Sequence, residues 1–149
     1  MIGGPAGVAD TVASKIYGAH FEDLARQWCF EHASSDTLGG VASAVRPTEL
    51  PCRQHRRGHG LDVVVTESTS FAADRITAIG EAKSTEAPVD VPQLERLEHL
   101  RELLPGGKIG ALPKLLLFAR SGFSPALVRL NERRPDVELV DMGRLYGAA

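Results

Sequence analysis

Four residues have the side chains and spacing for phosphate chemistry: Glu22, Asp62, Glu81 and Lys83. Glu81 and Lys83 flank Ala82 near the end of residues 75–83 (RITAIGEAK), a β-branched run that predicts a strand. Side chains two apart on a strand share a face, so carboxylate and ammonium are expected to project together. Asp62 lies one residue into residues 61–66 (LDVVVT), a second predicted strand. A turn over residues 68–74 makes the two a hairpin and brings Asp62 alongside. Charge placed in an apolar strand region is costly unless it is compensated. A hard divalent cation compensates it. Mg²⁺, or Mn²⁺ in its place, takes carboxylate, carbonyl and water oxygens in octahedral geometry. The expected ligands are Asp62, Glu81 and the backbone carbonyl of Ala82, with Glu22 completing the shell directly or through water. Lys83 would orient an attacking water or offset charge on a phosphate, and the metal would make hydroxide available near neutral pH.

The elements that must position these groups are legible along the chain. Residues 1–12 are small and Gly/Pro-punctuated and read as a leader or linker, leaving 13–149 as one domain. Their Gly-Gly-Pro-Ala-Gly stretch lacks the Gly-Lys-Ser/Thr ending of a phosphate loop. A helix is expected over residues 14–32, with Phe21, Leu24, Ala25, Trp28 and Cys29 as its apolar stripe and Glu22 at the stripe's edge. Residues 33–40 read as loop, 41–45 as a short strand and 46–60 as a loop or hairpin tip. Asp90 is expected to cap a helix running to residue 104, with Leu94, Leu97, Leu100, Leu103 and Leu104 as its stripe. Residues 114–119 (KLLLFA) fit a strand buried on both faces. Ser124 and Pro125 start another helix, and residues 137–140 form a last strand. The order α-β-β-β-α-β-α-β predicts an α/β fold, a mixed central sheet flanked by helices on both faces.

Glu on the first helix, Asp on a strand and Glu-x-Lys on the next resembles the PD-(D/E)XK nuclease superfamily, which includes restriction endonucleases and Holliday junction resolvases. The pattern is more similar still to the nuclease-like C-terminal domain of the archaeal-type AAA ATPase family. The residues that carry this likeness are Gly18-Ala19-His20-Phe21-Glu22, Leu61-Asp62-Val63-Val64-Val65, Gly80-Glu81-Ala82-Lys83 and Leu117-Phe118-Ala119-Arg120-Ser121-Gly122-Phe123. They cover nearly the whole chain from residue 14. The resemblance implies a restriction-endonuclease-like fold, Mg²⁺-dependent hydrolysis of DNA of the endonuclease type, and association with a P-loop ATPase. One departure is that Gly60-Leu61 precedes Asp62 where that family often has Glu-Ile or Glu-Leu, which bears on how a second metal would be held.

Each residue also has a plainer reading. Glu81 and Lys83 could form a surface ion pair, which contributes little; Gly80, Asp62 and Glu22 around them favour the site. Glu22 alone reads equally as a solvated helix residue, and Asp62 as a turn cap. Arg53, His55, Arg56 and Arg57 in the run RQHRRGH would contact backbone phosphates or form a solvated loop. Cys52, His55 and His59 lack a fourth ligand, so zinc is the weaker reading. Gln93 could lean toward the site, although an exposed first-turn residue is the simpler account. Trp28 reads as core, and so does Cys29.

Composition bounds the classes. The 149 residues are 43% hydrophobic and 24% charged with net charge −2, the balance of a globular protein and not of a broadly basic nucleic-acid binder. No run approaches the roughly 18 apolar residues of a membrane span. Two cysteines do not make a secreted disulfide framework. A cytoplasmic protein with DNA as partner is expected. The competing class is a non-catalytic module that binds nucleic acid or a partner protein and reports to an ATPase. Homodimerisation stays open, with only the apolar strand and last helix to suggest it.

Overall fold

The computed structural model describes residues 6–52, 57–70, 72–104 and 112–147, with side chains described for 17–48, 60–70, 74–104 and 112–147. The elements are α1 (Ala6–Glu31), α2 (Ser35–Leu38), β1 (Ala44–Cys52), β2 (Arg57–Thr69), β3 (Ala72–Lys83), α3 (Val91–Glu102), β4 (Lys114–Ala119), α4 (Pro125–Asn131), β5 (Val137–Asp141) and α5 (Met142–Leu145). One five-stranded sheet runs in the order β1-β2-β3-β4-β5. Its first three strands pair antiparallel and its last three parallel. This is the expected α/β chain with a mixed sheet. Three details differ from the sequence reading. The first helix starts at Ala6, inside the segment read as a leader; β1 and β2 extend into residues read as loop; and α2 and α5 are additional short helices.

Alternation along the strands sorts side chains onto two cores. Leu61, Val64, Ile79, Leu115 and Leu117 pack with Leu94, Leu97 and Leu100 of α3 and Leu127 of α4. Val63, Val65, Ala78, Ala82, Leu116 and Phe118 pack with Phe21, Ala25, Trp28 and Cys29 of α1. Helices therefore cover both faces. β4, whose residues 115–119 are all buried, is the doubly covered strand its apolar run predicted. Cys29 is core as expected, and burial pushes its thiol up to about 12. Among the described residues no helix is long and apolar enough to cross a membrane.

Side chains cover part of the sheet's outer edge. On β5 the Val137 carbonyl accepts from Asn131 Nδ2 at 2.7 Å and the Leu139 carbonyl from Arg144 Nη1 at 3.0 Å. At the other edge, β1 contains Pro47 and Pro51, which cannot donate to a further strand. Both devices blunt edges that would otherwise template association.

Gly80 is explained by packing. A Cβ there would stand 2.9 Å from the Leu116 carbonyl oxygen and 3.0 Å from Leu116 Cβ, so only glycine lets β3 lie this close to β4. Gly80→Ala is expected to cost about 1–3 kcal/mol by overpacking, read as a lower urea midpoint. An unchanged midpoint would contradict the close approach.

Candidate active site

The site is built where β2 and β3 part. The last paired residues of the hairpin at this end are Val63 and Gly80. On its other side β2 carries a bulge, because Arg46 to Thr48 spans two steps while the opposing Val64 to Leu61 spans three. The bulge lies opposite Pro47, which lacks an N–H, and bulges re-aim the side chains they contain. Leu61 and Val64 consequently pack on the α3 side while Val63 packs on the α1 side. Asp62 sits in this irregular turn of the strand. Its Oδ2 accepts from the Ala82 N–H at 2.8 Å, which ties a carboxylate to β3 just past the last paired residues. Its carbonyl accepts from Arg26 Nη1 at 2.8 Å, which fixes β2 to α1. Arg26 also pairs with Asp23.

Glu22, half-buried on α1, meets Asp62. Their carboxyl groups are in hydrogen-bonding contact. Desolvation raises the Glu22 proton affinity most, followed by the Asp62 charge and that hydrogen bond, with Arg26 opposing. Folded chain thus holds this proton more tightly than unfolded chain. The stability linked to it is present at low pH and is lost as pH rises from the ordinary glutamate value through the raised one. A carboxyl ¹³C titration is expected to place the Glu22 midpoint above the ordinary value of about 4.3. In Asp62→Asn part of the rise should vanish and part remain, because burial is the larger cause. A midpoint at or below the ordinary value in the wild type would contradict the contact.

Glu81 takes a different direction. It is two residues beyond Ile79, which packs toward α3, and it is only 3% exposed. One carboxylate oxygen, Oε1, is ion-paired with Arg96 of α3, while Oε2 is buried without a hydrogen-bond partner. Lys83 follows on the same face of β3, half-buried, and among the described residues its ammonium has no ion-pair partner. The structure therefore joins Glu22 to Asp62 on the α1 side and aims Glu81 and Lys83 toward α3. No group of three or more His, Cys, Asp or Glu residues that could hold a metal is gathered among the described residues.

The rim is rigid. Gly122 adopts φ +80°, turning the chain after β4. That turn is fastened to the segment after β3 by Ser121 Oγ on the Thr85 carbonyl at 2.8 Å and by Val89 N–H on the Gly122 carbonyl at 2.9 Å. Arg120 donates its backbone N–H to the Lys83 carbonyl at 3.0 Å, and its guanidinium lies 4.5 Å from the centroid of the Tyr17 ring. Gln93 completes a capping box: its Oε1 accepts from the Asp90 N–H at 2.9 Å, so this side chain serves the start of α3. Arg53, His55 and Arg56 lie outside the described residues. Arg57 opens β2, and its side chain, like those of Cys52 and His59, is outside them too.

Three arginines were not singled out by sequence: Arg26, Arg96 and Arg120. Arg26 stands four residues after Glu22, a spacing that places both on one helix face and was readable. Arg120 lies inside a quoted motif. Arg96 gave no local signal. Comparison with known proteins assigns no family: no protein-family model matches the chain, and no curated protein or solved structure is significantly similar to it.

Proposed function

We propose that this chain is a metal-dependent DNA hydrolase of the endonuclease type, with Asp62 and Glu22 holding Mg²⁺ or Mn²⁺. The observation that carries the reading is the contact of two carboxyl groups from α1 and β2. Like charges brought together in this way are relieved by a cation. The donor set suits a hard one: carboxylate oxygens from Asp62 and Glu22. A bound cation would supply Lewis acidity toward a phosphate oxygen and lower the pKa of its water.

The chain's own residues do the rest. The Ala82 N–H orients Asp62. Glu22 supports the metal beside Asp62. Lys83, free of an ion-pair partner among the described residues, offsets charge on the phosphate. The basic run containing Arg53, His55, Arg56 and Arg57 holds backbone phosphates. The order of Glu22, Asp62, Glu81 and Lys83 on its elements supports a restriction-endonuclease-like fold and the PD-(D/E)XK resemblance.

A second reading, a non-catalytic nucleic-acid- or partner-binding module accessory to a P-loop ATPase, is favoured by one observation: Arg96 already neutralises Glu81. The test is incubation with supercoiled and branched DNA in Mg²⁺ or Mn²⁺. Nicking that disappears in Lys83→Ala supports the hydrolase. Binding without cleavage in either metal supports the module.

A further inference from the structure

We propose that Arg120, laid over the Tyr17 ring, is a DNA-phosphate contact on the α1 face of the sheet, the face that carries Glu22 and Asp62. This deepens the reading of the chain as a DNA-acting protein and rests on it. Residues two apart on a strand share a face. Phe118 of β4 packs on the α1 side, so Arg120, just past the end of that strand, returns to it. Its guanidinium carbon lies 4.5 Å from the centroid of the Tyr17 ring, on the same helix as Glu22. Lys83 follows Ile79 and Glu81 toward α3, on the other face. Arg26, which reaches the Asp62 carbonyl, is already paired with Asp23. The cation left for an anion on the α1 face at this end of the sheet is Arg120.

Three features of its setting point to a phosphate. Arg120 is exposed and, among the described residues, has no carboxylate partner, whereas Arg26, Arg75, Arg96, Arg101, Arg134 and Arg144 are all ion-paired. Its guanidinium makes one hydrogen bond among those residues, from Nη1 to the Ser84 carbonyl at a long 3.3 Å. It is nevertheless held in place. The Tyr17 ring stacks with that of buried Phe21, with centroids 6.4 Å apart at 17°, and the Arg120 N–H is fixed to the Lys83 carbonyl at 3.0 Å. A guanidinium stacked by its face keeps its in-plane donors for phosphate oxygens, and one already immobilised loses little freedom on binding. The location agrees. Arg120 stands at the carboxyl ends of the parallel strands β3 and β4, where open α/β sheets take their ligands. Glu22 follows Tyr17 by five residues on α1, about 7.5 Å along the axis and roughly two nucleotide steps of a DNA strand. Arg120 thus takes a phosphate flanking the one at the acid pair. Such a contact fixes the register of the backbone and reads no base.

The test is binding of duplex and branched oligonucleotides of unrelated sequence, followed by fluorescence anisotropy in chelator over a range of salt, for wild type, Arg120→Gln and Arg129→Gln. Arg129 is exposed on α4, whose Leu127 packs on the other face of the sheet, so its loss removes the same charge away from the site. Arg120→Gln is expected to weaken binding about tenfold on every sequence, the size of one hydrogen bond to a charged group. On duplex it should make the slope of log affinity against log salt less negative by about 0.9, the share of one phosphate. Arg129→Gln should change neither. Should Arg120→Gln melt below wild type, the wild type itself decides: its Arg120 Nε–H resonance is expected to shift as DNA is added. Equal affinity and slope in wild type and Arg120→Gln, equal weakening in both variants, or an Arg120 resonance indifferent to DNA overturns the contact while DNA binding stands. Wild type that binds no DNA even at low salt overturns the DNA reading and this proposal with it.

Discussion

Replacing Asp62 by asparagine is expected to lower metal-dependent DNA cleavage by on the order of 10³-fold, the size that follows loss of a group stabilising transition-state charge. The fold should survive. Asparagine keeps an oxygen able to accept the Ala82 N–H that Asp62 Oδ2 now accepts at 2.8 Å, so the irregular end of β2 remains fastened to β3. The backbone carbonyl still accepts from Arg26. What is lost is the negative charge, which both attracts a hard cation and repels Glu22. The metal-free variant should therefore melt no lower than wild type near neutral pH, because a like-charge contact has been removed. Supercoiled-plasmid nicking together with a thermal melt checks both halves. Full activity in Asp62→Asn would contradict the role, and unfolding would show that the carboxylate is structural.

The second large effect lies in the core beneath the site. Phe118 of β4 is fully buried and meets Trp28 of α1 edge-on, with ring centroids 5.9 Å apart at 79°. The atoms of Phe118 also line the space that Gly80 leaves open: a Cβ on Gly80 would stand 3.3 Å from its ring. Phe118→Ala leaves a cavity between the sheet and the helix that carries Glu22. The expected loss is about 3–5 kcal/mol, a large part of the stability of an ordinary domain. For a chain of this length that is a fall of about 10 °C or more in melting temperature. A loss below about 1 kcal/mol in urea unfolding would mean that α1 repacks onto the sheet, and with it that the placement of Glu22 is not fixed by this contact.

The sequence patterns that proved readable are those in which one physical rule acts locally. The apolar run of residues 114–119 became a doubly covered strand because nothing polar in it needed water. Asp90 and Ser124 cap α3 and α4 as their positions suggested, since a short polar side chain before an apolar period has few other uses. The prolines and glycines of residues 46–60 point to a loop, yet β1 tolerates Pro47 and Pro51 by lying at the sheet edge. That outcome follows from the rule confining strand proline to edges, so the signal was present. Residues 6–12 joined the first helix despite the glycines and proline around them.

In the candidate site the limits are sharper. From the first helix Glu22 is expected to complete a metal shell with Asp62, directly or through water, and the structure brings these two residues side by side. The expectation that Asp62, Glu81 and Lys83 would share a face assumed a regular hairpin. The bulge in β2 breaks that alternation, and an extra residue in one strand has no signature in the residue pattern itself. Arg96 was invisible for another reason. Its pairing with Glu81 depends on how α3 lies across β3, a tertiary fact that helical periodicity does not encode.

Whether the acid pair is a metal site is most directly measured by titrating Mn²⁺ into ¹⁵N-labelled chain and following paramagnetic broadening. The amides of Glu22, Asp62 and Ala82 are expected to broaden first and together at sub-stoichiometric metal, and to stay sharp in Asp62→Asn. Broadening that begins instead at remote acids such as Asp36 or Glu132, with those three amides unaffected, would contradict the account.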